Sequence, residues 1–106
     1  MSDFGKRDTM RALVVALCRD YLRRREAILR VSVTRRVAME YKYLNARIFD
    51  GARDAVGEQF AMRMILEIGE EVGYAKSDFD FLSEGTYKEM KTRAIRAIAA
   101  RLHLSD

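Results

Sequence analysis

Arginine clusters flank the junction of the first two predicted helices, at Arg23–Arg25 and Arg35–Arg36. Guanidinium groups can neutralise phosphates, which adds salt-sensitive affinity for a polyanion without selecting a sequence. The alternative is a solvated helix face with Asp20 and Glu26 as local partners, since three consecutive arginines cannot all share one face. The residues from which we expect phosphate contacts are Arg23, Arg24, Arg35, Arg36 and Arg96.

The carboxylates do not form a catalytic or metal-binding pattern. Glu67, Glu70 and Glu71 lie on one predicted helix, but no companion base, nucleophile or phosphate-binding loop accompanies them. Asp78 and Asp80 alternate as in a calcium loop, yet the glycine and the bidentate glutamate of that loop are missing. We therefore predict no enzyme, no metal site and no cofactor.

The chain has one cysteine, Cys18, and one histidine, His103. A single thiol cannot form an internal disulfide, and a histidine without neighbouring ligands does not make a zinc site. We expect Cys18 to be a small buried apolar residue and His103 to cap the last helix. This cysteine usage indicates a reducing compartment, so we expect a cytoplasmic location.

Length and composition predict one helical domain. The chain has 106 residues, 49% hydrophobic and 34% charged, with six glycines and no proline. That is enough apolar surface for a core, and the scarcity of helix-breaking residues favours helices over strands. No apolar run reaches the ~18 to 20 residues that span a membrane, so we expect no membrane partner. We predict an all-α domain over residues 1–106.

Charge is unevenly distributed along the chain, whose net charge is +4. Residues 1–36 hold ten basic and four acidic side chains, and residues 83–106 hold five and three. Residues 57–82 hold two basic and six acidic side chains. Such separation suits a surface that meets a polyanion on one side and stays neutral or repulsive elsewhere.

Apolar residues recur at spacings of three and four in four stretches, which predicts a compact four-helix domain. Ser32 and Thr34 can cap the second helix and Ser83 the fourth. Between the third and fourth helices, we expect Ala75–Leu82 to be a loop or a short extended segment pinned by its two phenylalanines. The predicted helices span residues 8–30, 34–55, 58–73 and 83–102.

The second and fourth predicted helices each have a face left for a partner. On the second helix, Met39, Tyr43 and Phe49 form an apolar line beside the buried stripe, and this line could be a homodimer interface. On the fourth helix, the side opposite the buried line is predicted to be basic. Its residues are Lys88, Lys91, Thr92 and Arg96.

The segment Glu67–Tyr74, followed by Leu82–Lys88, has the residue pattern of a helix-turn-helix. In this pattern Gly69 would let the second helix cross closely, and Gly73 would take the tight turn conformation. Ser83 would cap the helix that enters the major groove. The pattern resembles the C-terminal DNA-binding region of sigma factors, and the tail is similar to the end of phage transcriptional regulators of the ArpU and RinA types.

The resemblance covers Ile65–Leu104, about two-fifths of the chain. Ser83 lies ten residues after Gly73, eight more than in the family turn. Either Ala75–Leu82 is a looped insertion between two standard helices, or the two parts of the match are unrelated. The resemblance implies double-stranded DNA as the partner. The contacts that it implies on the recognition helix are Ser83, Glu84, Gly85, Thr86, Lys88, Lys91 and Thr92.

Together these features predict a phage or prophage DNA-binding transcriptional regulator that uses a helix-turn-helix. A homodimer would give such a protein two half-sites to read. The alternative is a small helical protein-interaction module, such as a phage-encoded inhibitor of a host nucleic-acid enzyme. The long first helix and the apolar excess of the second helix favour this alternative, because they exceed what a minimal DNA-reading unit needs.

Overall fold

The computed structural model describes residues 2–104, and side chains from Thr9 onward; within this range the chain forms helices and turns without a strand. The helices are α1 (Ser2–Arg19), α2 (Tyr21–Leu29), α3 (Arg35–Val56), α4 (Glu58–Gly69) and α5 (Glu84–Arg101), with a 3-10 helix at Tyr74–Lys76. Because α1 and α2 are two parts of one interrupted helix, the predicted all-α, four-helix architecture is confirmed. No described helix is both long and apolar enough to cross a membrane.

The predicted first helix is interrupted at Asp20, where φ is −92° and ψ is 5°. Next to this point, the guanidinium of Arg24 donates a hydrogen bond to the carbonyl of Leu17 at 2.5 Å. A side chain that inserts into the helical hydrogen-bond ladder is a common cause of a kink. The prediction of one continuous helix over 8–30 is therefore wrong, and α1 also begins earlier, at Ser2.

The turn between α2 and α3 ends one helix and caps the next. Thr34 accepts a hydrogen bond from the Val37 amide at 3.2 Å, which is the predicted cap of α3. Helix α2 ends in a Schellman turn, in which the Ser32 amide donates to the Ala27 carbonyl at 3.1 Å. Val31 in this turn has φ of 53°, a conformation that β-branched residues rarely adopt.

Helix α3 packs against α2, α4 and α5. It crosses α5 at Gly51, where a Cβ would lie 2.5 Å from the Cα of Ile98, so only glycine allows this approach. An ion pair between Arg101 and Asp54, at 2.9 Å, ties the ends of the same two helices. Residues buried in the core include Val14, Cys18, Ile48, Met64, Ile65, Ile68, Phe79, Tyr87 and Ile98.

Helix α4 ends at Gly69, earlier than the predicted residue 73. The chain leaves it through a Schellman turn in which Glu71 has the positive φ, 54°. Gly73 has φ of −84° and ψ of 167°, so the prediction that Gly73 takes the tight turn conformation is wrong. Gly69 does allow a close helix crossing, but the partner is α1: a Cβ there would lie 2.7 Å from the Arg19 amide nitrogen.

Residues 70–83 link α4 to α5 as a loop pinned by aromatic rings, as predicted. Phe79 is buried, and its ring centroid lies 5.6 Å from that of Phe60 and 6.0 Å from that of Tyr87. Phe81 contacts the first two rings but stays 64% exposed. The loop is thus anchored between α4 and α5, and α5 packs on α3 more extensively than on α4.

Candidate nucleic-acid interface

The start of α5 is capped and exposed. Ser83 has φ of −69° and ψ of 158°, and its hydroxyl oxygen accepts a hydrogen bond from the Thr86 amide at 3.2 Å, which confirms the predicted cap. Glu84 lies in the first turn, where a carboxylate is favourable to the helix dipole. Gly85 has no atom within 4 Å of the place that a Cβ would occupy. All four residues are exposed, so a second molecule can reach this turn.

A row of exposed side chains continues along α5 from this turn. We call this row the α5 outer face: Lys88, Glu89, Thr92, Arg93 and Arg96, which together line a shallow depression. Three cations against one carboxylate make the row basic. Lys88 forms an exposed ion pair with Glu84 at 3.1 Å. Such pairs contribute only ~0.3 to 0.5 kcal/mol, so a phosphate can compete for the ammonium group.

Arg93 belongs to the α5 outer face, although the sequence analysis did not include it. Its side chain is exposed between those of Glu89 and Arg96, four residues after the first and three before the second. Residues at these spacings are neighbours on one helix face. The spacing of three residues from Arg96 therefore already predicts that Arg93 lies on the same face of the helix.

Lys91 does not lie on the exposed side of α5, and the prediction that places it there is wrong. It is half-buried, and its Nζ donates a hydrogen bond to the Val72 carbonyl at 2.8 Å. Burial lowers the pKa of Lys91, and the nearby Arg11 lowers it further. Lys91 follows Tyr87 by four residues and so shares its buried row. Its ammonium group is engaged by the loop between α4 and α5.

Glu67 is a buried carboxylate at the end of α4, and it binds both the loop and α5. It accepts hydrogen bonds from the Ser77 hydroxyl at 2.7 Å, the Asp78 amide at 2.9 Å and the Tyr87 hydroxyl at 2.8 Å. Burial, together with the bond to Glu67, raises the pKa of Tyr87 to about 12. A buried carboxylate with this many donors fixes its neighbours in one arrangement. We call Glu67, Ser77 and Tyr87 the Glu67 cluster.

The predicted phosphate-binding arginines have different environments. Arg23, Arg35, Arg36 and Arg96 are exposed. Arg23 forms an ion pair with Asp20 at 3.3 Å. This is the local pairing expected if the arginines of this segment form a solvated helix face. The structure thus leaves four of the five predicted arginines accessible to a polyanion.

Arg24 is only 3% exposed, and its prediction as a phosphate contact is wrong. Besides its bond to Leu17, it donates from Nε to Asn45 Oδ1 at 2.7 Å. Asn45 in turn donates from Nδ2 to the Tyr21 carbonyl at 3.1 Å. Burial lowers the pKa of Arg24. This Arg24–Asn45 pair fastens α2 to α3 and is a structural element.

Among the described residues, no group of histidine, cysteine, aspartate and glutamate side chains could hold a metal ion. Cys18 is buried, as predicted, and burial raises the pKa of its thiol to about 12. A thiol in this environment stays protonated and packs as an apolar side chain. No protein-family model matches the chain, and neither curated proteins nor solved structures give a significant match to it.

Proposed function

We propose that this protein is a DNA-binding transcriptional regulator that places the start and the outer face of α5 in a major groove. The observation that carries the proposal is the continuous exposure of α5 from Ser83 to Arg96 along one side. This side carries hydroxyl, carboxylate, ammonium and guanidinium groups, and no large apolar residue is exposed on it. Such groups make the hydrogen bonds that read base edges and grip phosphates.

The proposed contacts fall into two groups. Ser83, Glu84, Gly85, Thr86, Lys88 and Thr92 approach base edges, and Arg93 is added to them. Arg96 and Arg23 neutralise phosphates. Arg35 and Arg36 are exposed as well, but they lie on α3 beside the exposed Met39 and are not assigned to the duplex. Lys91 and Arg24 are left out, because both bond to backbone carbonyls inside the protein.

The resemblance of the tail to phage regulators supports a phage or prophage setting and a role in transcription. A homodimer would supply two copies of α5 to two half-sites, as groove-reading helices require. The lone buried thiol supports a cytoplasmic location. These three points are part of the same proposal.

Fluorescence anisotropy with a labelled duplex tests the proposal at low and high salt. We expect binding in the micromolar range or tighter, with an affinity that falls steeply as salt rises, because released counterions drive phosphate binding. Arg96→Glu should weaken binding about tenfold. Arg25→Glu is the matched control, since Arg25 is an exposed arginine on α2, outside the proposed contacts. Absent or salt-insensitive binding contradicts the proposal.

A second candidate function, a protein-interaction module, is favoured by a separate observation. Several large apolar side chains are exposed, including Leu29 at 71%, Val31 at 83% and Met39 at 63%. None of them lies on α5. Apolar side chains gain little from phosphates but bury well against another protein.

A further inference from the structure

We propose that α3 carries a docking site for an acidic segment of another protein that also contributes apolar side chains. The site is the α3 outer face: Arg35, Arg36, Met39, Lys42 and Tyr43. The proposal rests on the interaction module described above and does not depend on DNA binding by α5.

These five residues lie on the side of α3 that faces away from the core. The opposite side buries Asn45, Ile48 and Ala52. Met39 is 63% exposed, and Tyr43, one helical turn later, is 50% exposed. Because residues four apart are neighbours on a helix, the two form one apolar strip. The strip is what a partner can bury.

The strip is bordered by cations. Arg35, Arg36 and Lys42 are exposed, and none of the three forms an ion pair within the described part of the chain. Arg47 lies over the Tyr43 ring, 4.7 Å from its centroid. Glu40 is the only acidic residue from Arg35 to Arg47. This charge complements an acidic occupant and disfavours a second copy of the same face.

The residue types favour a protein over a nucleic acid. Tyrosine, methionine and arginine are enriched in the buried centres of protein interfaces. A phosphate backbone would neutralise the cations but leave Met39 exposed. An acidic helix with leucines on one face satisfies both features, since it can bury the strip and pair with the cations.

The α3 outer face is presented on a rigid support. The Arg24–Asn45 pair fastens α2 to α3, and α3 crosses α5 closely at Gly51. The preceding turn holds Val31 in its strained conformation while leaving it 83% exposed. A preorganised surface loses less conformational entropy on binding. The partner therefore meets a face that is already formed.

The probe for this site is a fluorescein-labelled peptide of about 20 residues, made of glutamate and leucine with the leucines on one helical face. A peptide of the same composition in scrambled order is the control. We expect the amphipathic peptide to bind and the scrambled one to bind at least about fivefold more weakly, because only the first aligns its leucines. Failure of the amphipathic peptide to bind, or equal binding of the two, overturns the proposal.

The variant Met39→Ser/Tyr43→Ser removes the apolar strip without touching the core. We expect at least about a fivefold loss of peptide affinity, because truncated interface anchors dominate binding. Leu13→Ser is the matched control, since Leu13 is 46% exposed on α1. Circular dichroism checks that each variant is folded. Unchanged peptide affinity in the double variant overturns the proposal.

A charge exchange and two DNA titrations identify the occupant. Arg35→Glu/Arg36→Glu should lose the glutamate peptide and gain a lysine peptide of the same pattern. The Met39→Ser/Tyr43→Ser variant should keep its affinity for duplex DNA, so failure of this site and failure of the α5 proposal are distinguishable. A second titration uses a single-stranded oligonucleotide. If the Met39→Ser/Tyr43→Ser variant binds it more weakly than the unsubstituted protein does, and neither peptide binds, the α3 outer face is a nucleic-acid surface and the proposal is overturned.

Discussion

The outer faces of α3 and α5 are both basic, yet they expose different chemistry. The α5 outer face consists of charged and hydroxyl side chains, and the exposed Gly85 lies one turn before it. The α3 outer face sets Met39 and Tyr43 among its cations. Positive charge alone therefore does not identify a DNA-binding surface in this molecule. The exposed apolar residues separate the face proposed for a protein from the face proposed for a duplex.

Each face is positioned by one buried charged residue, and the two residues are satisfied differently. Glu67, 6% exposed, accepts from three donors that belong to the loop and to α5. Arg24 donates to one amide and one carbonyl, while the nearby Asp20 pairs with Arg23 instead. A buried cation without a carboxylate contributes less to stability than a carboxylate surrounded by donors. The two supports should therefore respond differently to substitution.

Glu67→Leu should produce the largest effect. It leaves the Ser77 hydroxyl and the Asp78 amide without their acceptor, and it leaves the Tyr87 hydroxyl only the Val72 carbonyl at 3.2 Å. Each buried unsatisfied donor costs ~1 to 3 kcal/mol. We expect the free energy of unfolding to fall by about 4 kcal/mol in urea denaturation. Duplex affinity should fall as well. Binding of the acidic peptide should persist under all conditions in which the variant remains folded.

Glu67→Gln is the control for this prediction. Its amide oxygen can still accept from two donors, so only the bond from the Asp78 amide is lost. We expect a loss of about 1 to 2 kcal/mol. Equal stability of Glu67→Leu and the unsubstituted protein would show that the Glu67 cluster does not support the loop.

Alkaline pH should destabilise the fold through two buried groups, Cys18 and Tyr87. The pKa of the Cys18 thiol is raised from 9.0 to about 12 by burial, and that of Tyr87 from 10.0 to about 12 by burial and its bond to Glu67. Because only the unfolded state ionises between these values, stability falls as pH rises from 9 toward 12. We expect Cys18 alone to account for about 3 kcal/mol by pH 11.

Urea denaturation at pH 8 to 11 measures this dependence. Cys18→Ala should flatten the stability profile from pH 9 upward, and Tyr87→Phe only from pH 10, since the unfolded groups ionise at those values. Identical profiles for the two variants and the unsubstituted protein would contradict the burial of both groups.

Arg24→Met should have a smaller effect than Glu67→Leu. The change removes two hydrogen bonds but also removes a buried cation that has no carboxylate partner, and the two terms oppose each other. We expect a loss of about 1 kcal/mol, together with weaker peptide binding on α3 and unchanged duplex binding. A loss as large as that of Glu67→Leu would show that the two supports are equivalent.

Gly85→Ala should have the smallest effect on stability. It should raise the stability of the fold and lower the affinity for duplex DNA. A Cβ at this position meets open space, so the substitution should stabilise α5 by up to ~1 kcal/mol. If a duplex approaches the backbone at this turn, the added methyl group should weaken binding. Thermal unfolding measures the stability, and fluorescence anisotropy measures the duplex affinity. An increase in both would show that the duplex does not approach the backbone at Gly85.

Much of the fold could be predicted from the sequence because its signals are local. Thr34 and Ser83 cap their helices as their residue types and positions predict. Residues 75–82 lack a helical stripe and form a loop around the buried Phe79. The start of α5 is exposed as expected. Each of these features depends on residues within one or two turns of each other.

The features that sequence reasoning missed depend on distant residues. Glu67 follows the buried Met64 by three residues, but a glutamate at that position does not by itself predict a buried acceptor. Its donors come from Ser77 and Tyr87, which tertiary structure brings to it.

Arg24 lies in a run of arginines, and its spacing of three residues from Tyr21 and four from Ile28 places it on the buried row. Its partner Asn45, however, is supplied by α3. In the same way, the spacing of Lys91 from Tyr87 already placed it on the buried row of its own helix.

The most direct test of the α5 proposal is an NMR titration of the ¹⁵N-labelled protein with a duplex of about two helical turns. It compares the two basic faces in a single experiment. The proposal predicts that amide shifts concentrate between Ser83 and Arg96 and shrink as salt is raised. Shifts concentrated between Arg35 and Arg47, or no shifts at low salt, would contradict the assignment of DNA to α5.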